Sequence, residues 1–169
     1  MFSNLRATIA LASLAGLVAG AAAAQDNPAC DKFKWSIARE RALFAAGPKP
    51  AADGATIALG EAYAVALAPS ASVAYSLPPE RAPKAGSFGA ALKLAAIDKP
   101  GLYEVTLSDE AWLDVVQAGA EIKSSNFSGQ KDCPGVRKTV RFDLQAGPAT
   151  IQLSNAAGPT LNVALEPAQ

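Results

Sequence analysis

Histidine is missing from all 169 residues. Its absence removes the imidazole base that activates serine and cysteine nucleophiles, and with it the ordinary zinc and blue-copper ligand sets. Cysteine occurs only at Cys30 and Cys133, with no Cys-x-x-Cys spacing and no histidine to lower a thiol pKa, so a dithiol redox centre is not expected. Charge of one sign is equally scarce. Fifteen Lys and Arg face fifteen Asp and Glu, and the bases are scattered except at Lys32/Lys34, Arg39/Arg41 and Arg137-Lys138/Arg141. Without a basic stripe nothing displaces counterions from a phosphate backbone, so no nucleic-acid partner is expected and each small group reads as a solvated face. No cofactor or catalytic metal is expected from such a residue set.

What is present begins at the N-terminus. One cation, Arg6, precedes a small and apolar run from Ala7 to Ala24 that ends in four alanines before the polar Gln25-Asp26-Asn27-Pro28. That is the layout of a secretory signal peptide, and cleavage is placed after Ala24. A span would need about 20 strongly apolar residues, whereas this run is mostly Ala and Gly, so no membrane span is expected after cleavage. Cys30 stands too far from the cleavage point for lipid attachment. Residues 25–169 then form one domain, with one more acid than base once Arg6 is lost, in the periplasm or outside the cell. Two cysteines in an oxidising compartment have one intramolecular pairing, Cys30 with Cys133.

The rest reads as a mainly β domain, an antiparallel, jelly-roll-like β-sandwich with one short N-terminal helix. Large apolar residues fall every second position in Tyr63-Val65-Leu67, Val73-Tyr75-Leu77, Leu92-Leu94, Tyr103-Val105-Leu107 and Val140-Phe142-Leu144, as in strands buried on one face. Strands are expected near 55–59, 62–67, 72–77, 89–97, 101–108, 112–117, 121–125, 138–144, 149–154 and 160–165, separated by Gly, Pro and Asn turns. Pro100-Gly101 reads as a type II turn with positive φ at the glycine. In 32–46, Phe33, Trp35 and Ile37 suggest a short strand passing into a helix that stops at Gly47-Pro48. Residues 47–54 read as a surface connection. The long loops are 78–87 and 126–137, the second tethered in its middle by Cys133.

Few residues carry candidate chemistry. The densest acidic group, Asp109-Glu110 with Asp114, reads as a turn and an exposed strand face. A carboxylate pair for glycoside hydrolysis, Asp114 with Glu121 or Asp143, is formally available, although nothing in the sequence fixes its separation. For binding, Trp112 and Asp114 with Asn126, Phe127, Arg137 and Lys138 offer a groove in which an aromatic face and polar tips recognise a small molecule, a glycan or a protein segment. The plainer expectation is that Trp112 packs under the disulfide as a core residue while Arg137 and Lys138 face water.

Lys99-Pro100-Gly101-Leu102-Tyr103-Glu104-Val105-Thr106-Leu107 resembles the turn and strand of bacterial pre-peptidase C-terminal-type β-sandwiches. Ala111-Trp112-Leu113-Asp114-Val115-Val116, Ser124-Ser125-Asn126-Phe127-Ser128-Gly129, Cys133-Pro134-Gly135-Val136-Arg137-Lys138 and Ile151-Gln152-Leu153-Ser154, with Cys30 and Trp35, resemble a family of small exported proteobacterial proteins of no established activity. Some of its members carry the automatic name homogentisate 1,2-dioxygenase. Such an enzyme holds iron with two histidines and a carboxylate, so that name does not describe the chemistry of this chain. Three functions remain: an exported binding or accessory module, a structural envelope protein acting through its sheet edges, and an enzyme using carboxylates alone.

Overall fold

The computed structural model describes residues 27–169, and the signal-peptide reading of residues 1–24 lies outside them. The strands among the described residues are β1 (Lys49–Ala52), β2 (Thr56–Ile57), β3 (Ala62–Ala66), β4 (Ala68–Pro69), β5 (Phe88–Ile97), β6 (Gly101–Leu107), β7 (Trp112–Gln117), β8 (Ala120–Ile122), β9 (Ser124–Gly129), β10 (Lys138–Leu144), β11 (Gly147–Ala156) and β12 (Thr160–Pro167). The first sheet has the order β1-β3-β12-β6-β10-β9; the second has the order β2-β5-β11-β7-β8, with β4 added beside β5. Pairing is antiparallel except for β1 with β3 and β2 with β5. The alternating side chains meet between the sheets: Tyr103, Val105 and Leu107 of β6 and Val140, Phe142 and Leu144 of β10 face Leu92, Leu94, Ile151 and Leu153 of the second sheet in one core. This is the expected β-sandwich. Ala118 and Gly119, at φ 51° and 75°, make the tight turn from β7 to β8, the handed turn that matches strand twist.

Several segments differ from expectation, each for a physical reason. Lys49–Ala52 is an edge strand rather than a surface connection; Pro50 is tolerated because an edge strand leaves one side of its backbone unpaired. Gly101 opens β6 opposite Leu144, and its φ is not positive, so the type II turn is not formed. Residues 124–129 form β9 against β10, which shortens the late loop to 130–137. Residues 72–77 form no ladder. Their alternation is real burial, with Val73 inside, but the segment crosses the outer face of the second sheet, where the Ser76 and Leu77 N–H groups donate to Gln152 Oε1 at 2.6 and 3.2 Å. The Tyr75 hydroxyl donates to the Leu153 carbonyl at 3.1 Å directly over Gly89, where a Cβ would come within 2.3 Å of both oxygens. Further along this strap, Asn155, left-handed at a bulge in β11, accepts the Lys84 N–H at 2.8 Å.

An N-terminal arm covers the outer face of the first sheet. It contains a 3-10 turn (Cys30–Lys32) and α1 (Ala38–Ala45), which ends at Ala46 before Gly47 with φ 95°. Phe33–Ile37 bends through residues 33–35 and does not pair as a strand; the Lys34 N–H donates to Ser128 Oγ at 3.0 Å instead. Cys30 and Cys133 form the disulfide, and Phe33, Ile37 and Val136 pack around it in a second, small core. Under the arm, register places Arg141, Glu104 and Glu166 side by side across β10, β6 and β12. Arg141 Nε donates to Glu104 Oε2 at 2.7 Å and its guanidinium lies 3.8 Å from the centre of the Trp35 ring, while Arg39 reaches Glu40 at 2.9 Å and Glu166 at 3.7 Å. These arginines are therefore not a solvated face. Four buried polar atoms lack a partner in hydrogen-bonding geometry among the described residues: Trp35 Nε1 and Glu40 Oε2 on the arm, Thr106 Oγ1 and Thr139 Oγ1 on the sheet beneath it.

Candidate functional site

The sandwich is open along one side. β9 ends the first sheet and β8 ends the second, and between these margins lies a cleft of about 530 Å³. Its apolar lining is the half-buried Ile122 together with Leu113, Val140 and Phe142, core side chains that are themselves buried and form the base of the cleft. Phe127 is paired with Val140 across β9–β10 at the edge of the first sheet, where its ring is 64% exposed and has Lys34 Nζ 5.3 Å from its centroid.

Trp112 stands at the first position of β7, partly buried, lining the cleft and belonging to neither core. The core-residue expectation for Trp112 is thus corrected: the side chains under the disulfide are Phe33, Ile37 and Val136. The indole is held by polar contacts. Its Nε1 donates to Asp114 Oδ1 at 2.8 Å, and the Arg81 guanidinium lies 4.1 Å from the ring centroid. Asp114 is 5% exposed, not on an open strand face, and its Oδ2 accepts the Glu80 N–H at 3.2 Å. Burial pushes its pKa up, opposed by the two hydrogen bonds and reinforced by the nearby Glu121 and Glu80. Replacing Trp112 by Phe keeps the ring and removes the donor; the stranded Asp114 oxygen is expected to cost about 1 to 3 kcal/mol in a denaturant titration, and an unchanged midpoint would mean that solvent replaces the indole at no loss.

Lys138 and Arg137 line the same cleft. Lys138 opens β10 on the parity of Val140 and Phe142, so its stem points inward and its Nζ donates to the Ala111 carbonyl, 6.0 Å from the Trp112 ring. It does not face water as expected. Burial lowers its pKa, with Arg137 and Arg81 adding to that effect and Glu110 and Asp114 countering it. Arg137 pairs with Glu110 at 2.5 Å. Asn126 is the one candidate that turns away: its Oδ1 accepts Lys34 Nζ at 3.0 Å on the arm side of β9. Trp112, Asp114, Phe127, Arg137 and Lys138 meet; Glu80, Arg81 and Lys123 join them without a signal in the sequence, because a loop more than twenty-five residues before β7 delivers the first two.

The acids do not assemble a vacant metal or catalytic centre. Glu80, Asp114 and Glu121 each place an oxygen within 4.8 Å of the others. However, Lys123 Nζ already bridges Glu80 and Glu121 at 3.2 and 2.9 Å, and both Asp114 oxygens accept protein N–H groups. Asp143 is exposed and does not line this cleft. A Ser-x-x-Lys spacing, Ser128 to Lys131, has no catalytic geometry either, since Ser128 is buried on the arm side and Lys131 is exposed. Among the described residues no helix is long and apolar enough to cross a membrane. No protein-family model matches the chain, and no curated protein matches it.

Proposed function

We propose that this chain is a non-enzymatic binding or accessory module of the periplasm or the extracellular space, and that the cleft between β7–β8 and β9–β10 holds its ligand. The observation that carries the reading is Phe127: an aromatic ring 64% exposed, lining the same cleft as the half-buried Ile122 and the Trp112 indole. The cleft sets Trp112, Leu113, Ile122, Phe127, Val140 and Phe142 among eight charged side chains, a lining that suits a ligand with an apolar body and polar tips. The signal-peptide layout of residues 1–24 and the Cys30–Cys133 disulfide support export. Carboxylate catalysis draws no support from acids whose oxygens are engaged by Lys123, Trp112 and Glu80. Assembly through sheet edges draws little more, since β1 carries Pro50 and the Phe127 N–H on β9 is capped by Asn126 Oδ1 at 2.9 Å.

The test is a binding screen of small amphiphiles, oligosaccharides and peptides on the parent and on Phe127→Ser. The variant is expected to unfold within about 0.5 kcal/mol of the parent, as surface substitutions do, and to bind about tenfold more weakly. Equal affinity in the two proteins would remove the cleft as the site.

A further inference from the structure

We infer that the Trp112 end of the cleft is an anion subsite, in which Lys138 and Arg81 hold the acidic group of a small amphipathic ligand whose apolar body lies on Ile122 and Phe127. The inference rests on the cleft being the binding site and names the chemistry it takes. Four cations line the cleft, and two are already matched: Lys123 with Glu80 and Glu121, Arg137 with Glu110. Arg81 and Lys138 have no carboxylate within salt-bridge distance, and both approach the same indole, at 4.1 and 6.0 Å. An ammonium has three donors; that of Lys138 uses one, on the Ala111 carbonyl. Keeping a largely desolvated cation on a core-facing row without a paired anion is unfavourable. A ligand anion between Lys138 and Arg81 relieves that cost and leaves Asp114 undisturbed, because Asp114 is occupied by Trp112 Nε1 and the Glu80 N–H. Another cleft of similar size, about 520 Å³ around Lys93 and Val116, offers one cation and no aromatic ring, and one of about 530 Å³ at the arm sets Asp31 beside its cation.

Two fluorescent probes with the same aromatic body separate the possibilities: anilinonaphthalene sulfonate, an anion, and neutral phenylnaphthylamine. The parent is expected to bind the sulfonate about tenfold more tightly at low salt, the size of one charge-assisted hydrogen bond, with the advantage shrinking as salt rises. Lys138→Met and Arg81→Gln should each reduce that advantage to about twofold and leave the neutral probe unaffected. Arg81 lies on an exposed loop, so its variant decides the matter even if Lys138→Met fails to fold. Equal affinity of the parent for both probes, or a sulfonate advantage that survives Arg81→Gln, overturns the anion subsite while the cleft reading stands. If neither probe binds the parent, or Phe127→Ser binds both as the parent does, the cleft reading falls and takes the subsite with it.

Discussion

Arg141→Ala is expected to destabilise the protein by about 3 to 5 kcal/mol, the usual loss when one member of a buried ion pair is removed. Glu104 is 2% exposed and would lose the guanidinium 2.7 Å from its Oε2, with Glu166 next to it on β12 and the charge of Glu40 nearby. The loss should depend on pH, and the sign follows from burial. Burial raises the pKa of Glu104 above its ordinary value against the opposing Arg141 and Trp35, and raises that of Glu166 against Arg39. A carboxyl with a raised folded pKa binds its proton better in the folded state. Its contribution to stability is greatest at or below the ordinary carboxylate range and declines as pH rises through the folded value. Removing Arg141 raises Glu104 further, so the variant should be closest to the parent in acid and fall behind it as pH increases. Denaturant titrations across that range check this; a deficit independent of pH would assign the contribution of Arg141 to packing on Trp35 instead. Glu104→Gln combined with Arg141→Met should recover much of the loss, because no unpaired charge is then left behind.

Breaking the Cys30–Cys133 bond is the other large perturbation. Its ends are 103 residues apart, and closing a loop of that size lowers the entropy of the unfolded chain by an amount equivalent to about 4 to 5 kcal/mol in the loop-entropy description. Cys30→Ser with Cys133→Ser also thins the packing of Phe33, Ile37 and Val136. The double variant, or the reduced parent, should unfold at a markedly lower denaturant concentration and migrate differently in electrophoresis. Two titratable thiols in unreduced, denatured protein would contradict the pairing.

The sandwich was legible because period-two alternation reports a one-sided apolar face, and Tyr103-Val105-Leu107 and Val140-Phe142-Leu144 have no other way to bury it. The same signal misled at Phe33-Trp35-Ile37 and Val73-Tyr75-Leu77. Both segments cross the outside of a sheet with bends in their course and turn every second side chain towards it, while backbone N–H groups find Ser128 and Gln152 side chains rather than a neighbouring strand. Alternation measures burial, and pairing is a separate fact. The cleft was legible in part. Trp112, Asp114, Phe127, Arg137 and Lys138 come from neighbouring strands and their ends, so closeness in sequence pointed towards closeness in space, whereas Arg81 reaches Trp112 only because the strap crosses the second sheet. Asn126 was misassigned by one step of the pleat, which turns adjacent side chains to opposite faces.

Glu40 Oε2, Thr106 Oγ1 and Thr139 Oγ1, buried without a partner among the described residues, line the seam between the arm and the first sheet, where opening is expected to start. Sub-global opening is easiest where few apolar contacts are lost and polar groups regain water. Phe33–Ala45 meets both conditions, and the long β5–β11 pair at the centre of the second sheet meets neither. Two cooperative units of unequal strength are therefore expected, with the arm's amides exchanging sooner than those of β5 and β11. The disulfide would keep the weaker one on a leash, because it ties Cys30 at the head of the arm to Cys133 in the loop before β10.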